Sequence, residues 1–91
     1  MLIINWKQTA INDLESITTY IFDHNPIAAL TLEDEILRAA ERLADMPYSG
    51  RFGRVDGTRE KILHPNYLVV YQVTSTAINI LNILHTKREY P

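Results

Sequence analysis

Cysteine is absent from this sequence, which removes disulfides, thiolate nucleophiles and cysteine-ligated zinc from consideration. A reducing compartment is compatible with that absence. Long apolar runs are missing as well. No stretch approaches the roughly 18 apolar residues of a membrane-spanning helix, and the opening MLIINWKQ has no basic segment leading into an apolar core. A cytoplasmic protein with no membrane partner is expected. Glycine is scarce, at three residues, all between positions 50 and 57. Gly50 and Gly53, three apart, have neither the lysine nor the following helix of a P-loop. HExxH, GxSxG and Gly-rich dinucleotide motifs are also missing, so no cofactor is expected. His64 and His85 fall at predicted strand ends without a nearby carboxylate, too little for a metal site.

What remains is ordinary globular material. With 46% apolar and 22% charged residues, the chain needs no disordered segment. At 91 residues it buries roughly 60 to 65% of its unfolded surface, enough for one modest core, and a single domain over residues 1–91 is expected. The net charge of −2 is unevenly distributed. Residues 1–45 carry three basic groups (Lys7, Arg38, Arg42) against eight acidic ones, a net −5, whereas residues 46–91 carry a net +3. One reading is chance; the sharper one is an acidic face and a basic face, the latter suited to an anionic partner. A pI of 5.8 argues against affinity resting on many phosphates.

Leu2 to Trp6 reads as a first strand. Thr9 offers a helix cap, and Ala10, Leu14, Ile17 and Ile21 then recur as one helical stripe. Pro26 ends that helix near Asp23 and, with Asn25 as cap, opens a second. Ala29, Leu32, Ile36, Ala39, Leu43 and Met46 mark the second helix, which stops at Pro47. Two helices so closely spaced form a hairpin. Residues 47–57, PYSGRFGRVDG, read as a loop. Thr58 to His64 reads as a strand. In the next, Tyr67, Val69, Tyr71 and Val73 face one side and Leu68, Val70 and Gln72 the other, a strand partly buried on both faces. Ser75 and Thr76 turn the chain into the apolar run Ala77 to Leu84. The expected fold is α+β, in the order β-α-α-β-β-β, with the hairpin packed on one face of a twisted antiparallel sheet.

The charged groups that could act lie in the 47–61 segment and at the end of the last strand: Arg51, Arg54, Arg59, Lys61, His85, Lys87 and Arg88, with Tyr90. Taken singly, each is adequately explained as a solvated loop or strand end. Glu33, Asp34 and Glu35 read as a solvated helix face.

Taken together, the segments PYSGRFGRVDGTRE, NYLVVYQV and INILNILHTKREYP and the order of elements resemble the RelE/ParE superfamily of bacterial toxins, across essentially the whole chain. The resemblance implies the same fold and a growth-inhibiting, plasmid-stabilising toxin of a type II module, neutralised by a cognate antitoxin. Operator DNA would be met only through that antitoxin. The superfamily divides by target. ParE-like members are associated with DNA gyrase, whereas RelE-like members cleave mRNA on the ribosome and need a base, cations and an acid around one phosphate. By resemblance, RelE has an arginine after the tyrosine that opens the VYQV strand, and this chain has Leu68 there. Arg88 matches a second RelE arginine, and His85 and Tyr90 resemble residues of several nuclease branches. The leading expectation is therefore a ParE-like toxin that acts on gyrase and is not an enzyme. The alternative is a RelE- or StbE-like mRNA interferase using Arg59, His85, Arg88 and Tyr90; a third reading is a toxin-fold binding partner without toxicity. Partner-binding candidates are Arg51, Arg54, Arg59, Lys61, Lys87 and Arg88. The exposed Tyr20, Phe22 or Leu30 of the hairpin and the sheet edge are candidate receiving surfaces for the antitoxin.

Overall fold

The Asn25-Pro26 boundary folds as its chemistry demands. In the computed structural model, which describes residues 2–87, helix α1 (Gln8–Phe22) and helix α2 (Pro26–Glu41) meet across three residues. The Asn25 side chain accepts the Ala28 N–H at 3.1 Å, capping α2, and Pro26 occupies its first turn. A 3-10 turn, Arg42–Ala44, prolongs α2 toward Pro47. Strand β1 (Ile3–Trp6) precedes the hairpin. After it come β2 (Arg51–Phe52), β3 (Arg59–His64), β4 (Tyr67–Val73) and β5 (Ala77–His85).

The sheet runs β1-β5-β4-β3-β2. Its β3-β4-β5 part is the expected antiparallel meander. Both helices pack on one face, where Ala10, Leu14, Leu32, Ile36, Ala40 and Leu43 meet Val69, Tyr71, Ile78, Ile80 and Ile83. On the opposite face Leu68, Val70 and Leu84 are buried together. The double-faced burial read from the β4 sequence is thus present.

Two pairings depart from the sequence reading. β1 lies parallel to β5, Ile3 opposite Ala77 through Trp6 opposite Ile80, which makes the sheet mixed. An apolar strand such as β5 needs a neighbour on each side, and β1 supplies the second. Within the segment read as a loop, Arg51 and Phe52 pair with Glu60 and Arg59 as an edge strand.

Thr9 is also placed differently: α1 begins at Gln8 with Lys7 in the cap position and no side-chain cap. The Thr9 hydroxyl has other work at β5. Tyr71 lies opposite Ile80 and Val70 opposite Asn82, so Leu81 is one residue in excess, a β-bulge. The bulge turns both Ile80 and Ile83 toward the helices. It also takes backbone groups out of the ladder, and α1 satisfies them. Thr9 donates to the Leu81 carbonyl. Asp13 Oδ2, one helical turn later, accepts from the Ile83 N–H at 3.0 Å and from Asn82 Nδ2 at 3.0 Å. Asp13→Ala is expected to lower stability by about 1 to 2 kcal/mol by orphaning that N–H, with Asp13→Asn losing less because it keeps an acceptor. Urea unfolding checks this; a change within the ~0.5 kcal/mol of an ordinary surface substitution would count against the bulge-capping role.

Candidate functional site

The arginine-bearing segment is shaped by a tyrosine beneath it. Tyr71 is fully buried, and its hydroxyl donates to the Pro47 carbonyl at 2.8 Å while accepting the Gly50 N–H at 3.0 Å. The backbone comes so close here that a Cβ on Gly50 would stand 2.6 Å from the Glu60 carbonyl oxygen and 2.6 Å from the Tyr71 hydroxyl. Only glycine fits. Arg59 closes the loop from above. Its guanidinium donates to the Gly50 carbonyl at 2.8 Å and lies 4.5 Å from the Phe52 ring centroid and 5.1 Å from that of Tyr48. Phe52, at 81% exposure, therefore serves as a lid on an arginine.

Arg51 faces the other side of the sheet and holds Glu60 at 2.9 Å, an exposed guanidinium on a carboxylate that is only 3% exposed. Arg54 is exposed in the turn that ends at Gly57, where φ is +81°. Lys61 is half-buried beside a groove of about 230 Å³ that Arg51, Glu60, Ile62 and Leu68 share. Leu68 itself is buried, among Val70 and Leu84. These four cations gather at the β2–β3 corner.

His85 and exposed Lys87 lie elsewhere. Arg59 is opposite Tyr71, and His85 opposite Tyr67 on the other flank of β4. That register puts their Cα atoms roughly 16 Å apart, four residues along and two strand spacings across. At the His85 end Tyr67 stands between two imidazoles, its ring centroid 5.8 Å from that of His64 and 5.5 Å from that of His85. The two histidine-bearing strands are not neighbours, because β4 lies between them. Each Nδ1 accepts the N–H two residues on, from Asn66 at 3.1 Å and from Lys87 at 3.2 Å, so the neutral rings carry hydrogen on Nε2. A carboxylate is also nearer than the sequence suggested: Glu35 lies 3.9 Å from His64 Nε2. Arg88 and Tyr90 fall outside the described residues.

Beside Tyr67 and His85 opens a cleft of about 450 Å³, walled on the helix side by Asp13, Ser16, Ile17 and Tyr20 and on the sheet side by Tyr67, Ile83 and His85. It was not singled out from the sequence, although the spacing of Asp13, Ser16 and Tyr20 places them along one helical stripe. On the hairpin, Tyr20, Phe22 and Leu30 are exposed as expected, and Ile27 joins them at 78%. No helix among the described residues is long and apolar enough to cross a membrane.

Comparison with known proteins agrees with this architecture. Residues 4–90 match the family described as ParE toxin of type II toxin-antitoxin system, parDE. The chain is 35% identical over 89 residues to the protein Y4kP of Sinorhizobium fredii, covering 97% of this chain and 92% of that one. It is 32% identical over 83 residues to Toxin RelE2 of Caulobacter vibrioides, covering 91% and 93%. Among solved structures, one of the chromosomal ParDE system from P. aeruginosa superimposes with a TM-score of 0.84 at 23% identity, covering 96% of this chain and 98% of that one. The conserved protein HP0894 from Helicobacter pylori follows at 0.62 and 23%, covering 99% and 100%. At those identities the two structures speak for the fold alone. The chain belongs to the ParE toxin family of type II toxin–antitoxin systems, within the RelE/ParE superfamily.

Proposed function

We propose that this toxin arrests growth by binding a protein target, DNA gyrase, and not by cutting mRNA. The observation that carries the reading is the distance of the β2–β3 cations from His85, with two of them engaged within the fold. Cleaving RNA through its 2′-hydroxyl needs a base, charge-stabilising cations and an acid within hydrogen-bond reach of one phosphate. Here Arg59 is spent on the Gly50 carbonyl and two rings, Arg51 on Glu60, and Leu68 occupies the strand position between them and His85. The ParE family match points the same way.

The mRNA interferase reading draws on one observation. Among the described residues His85 is hydrogen-bonded through Nδ1 alone, and Arg88 and Tyr90 follow it by three and five residues in the sequence. As a type II toxin the protein has a cognate antitoxin. Its docking surfaces in this proposal are the exposed apolar tip of the hairpin and the Arg51, Arg54, Arg59 and Lys61 corner, with Lys87 and Arg88 as further contacts.

Expression from a tight promoter without antitoxin separates these readings. The expected result is DNA breakage and an SOS response within minutes while protein synthesis continues. Immediate translation arrest with cleaved mRNA overturns it in favour of the nuclease. Unimpaired growth overturns both and leaves a toxin-fold binding partner.

A further inference from the structure

We infer that the cleft between α1 and the ends of β4 and β5 is a pocket for an arginine side chain presented by a partner polypeptide. Its volume, about 450 Å³, is within the range of sites that hold small groups. Tyr67 and His85 stand at 73° to one another and form an aromatic corner, and Tyr20, packed on His24 at 5.2 Å between ring centroids, extends the aromatic wall. Asp13 and Ser16 supply the acceptors. Both hydrogen bonds to the Asp13 carboxylate go to Oδ2, and among the described residues Oδ1, the Ser16 hydroxyl and the hydroxyls of Tyr20 and Tyr67 bond to nothing.

A planar cation with several N–H donors fits that combination. A guanidinium stacks on aromatic rings and presents a fork to a carboxylate, which a compact ammonium does less well. Charge excludes the main competitor, a nucleic-acid base on its phosphate chain. Among the described residues no Lys or Arg lines the cleft, α1 holds acidic residues and no basic one, and residues 1–45 carry a net −5, a field that repels a polyanion and attracts a basic segment. The pocket is separate from the β2–β3 corner and shares His85 with the mRNA interferase reading, which a nucleotide probe tells apart from it.

The test is an NMR titration of the full-length ¹⁵N-labelled toxin with N-acetyl-arginine amide, its citrulline counterpart, N-acetyl-lysine amide and AMP. The arginine probe is expected to give saturable shifts at Asp13, Ser16, Tyr67 and His85, with the citrulline probe roughly threefold to fivefold weaker, the size of a solvent-exposed cation–π contact. Tyr20→Ala, at a largely exposed position, is expected to weaken the arginine probe by about threefold with an unchanged unfolding midpoint. Ser16→Lys, also exposed, is expected to abolish binding. The assignment is overturned by citrulline or lysine probes that match arginine, by AMP binding more tightly, or by the absence of saturable shifts.

Discussion

Tyr71→Ala is expected to lower the unfolding free energy by about 3 to 5 kcal/mol, the range for deleting a buried aromatic ring, and to be the most damaging single substitution in the sheet. Tyr71 is the largest of the fully buried side chains, so its removal leaves a void where helices and sheet meet. Domains have only about 5 to 15 kcal/mol to lose, so the variant is expected to sit near its folding threshold. Tyr71→Phe isolates the hydroxyl. It keeps the packing but strands the Gly50 N–H and the Pro47 carbonyl, at about 1 to 3 kcal/mol. Loss of that bond also frees the loop, so limited trypsin digestion after Arg51 and Arg54 is expected to accelerate in the phenylalanine variant. Wild-type urea stability and wild-type proteolysis in Tyr71→Phe would show that the loop is held by Arg59 and its aromatic neighbours alone.

The second large effect concerns a charge. Arg51→Ala takes from the buried Glu60 carboxylate the guanidinium that lies 2.9 Å away and is expected to destabilise by about 2 to 3 kcal/mol, less than the loss for a fully buried pair because Arg51 is itself mostly solvated. Replacing both partners with apolar residues of similar shape, Arg51→Met with Glu60→Leu, is expected to recover most of the loss. A double variant no more stable than Arg51→Ala in urea would refute the account. This pair matters for function because Arg51 is also a partner-binding candidate. Antitoxin affinity measured on Arg51→Ala alone mixes a lost contact with a loosened corner, whereas the double variant separates them. The same reasoning applies to Arg59. Its alanine variant unpins Gly50, so weaker antitoxin binding would report loop geometry as much as direct contact.

Much of this was legible in the sequence because it is locally encoded. The Asn25 cap with Pro26, the two-faced β4 pattern and the α2 stripe from Ala29 to Leu43 depend on neighbours within a few residues and folded as their chemistry directs, whereas the α-helix ends at Glu41 and Met46, the last residue of the expected stripe, is exposed beyond the 3-10 turn. The misplaced features have non-local causes. β2 has no alternation to detect, since Arg51 and Phe52 are both exposed, and it exists because Glu60 and Arg59 lie opposite. Thr9 has the composition of a cap, yet it serves a bulge 72 residues away. The apolar run of β5 calls for a second neighbour, but nothing in either strand names β1 as that neighbour. Of the candidate site, the residue types could be read but not their grouping. Arg59 precedes the Tyr67 strand and His85 follows it in sequence, and only the register shows that one lies opposite Tyr71 and the other opposite Tyr67.

The parallel pairing of Ile3 with Ala77 also has a consequence for when this protein comes into being. It joins residues 74 positions apart, so closing that loop must await the synthesis of β5 and slows folding. β5 is the last of the five strands to be synthesised, yet it holds β1 and β4 together and carries the backbone groups that α1 reaches down to satisfy. A nascent chain that has completed both helices still has no sheet to pack them on. The toxin's surfaces therefore do not exist piecemeal during translation; they arise together once β5 has been made, and an antitoxin already present meets a finished target.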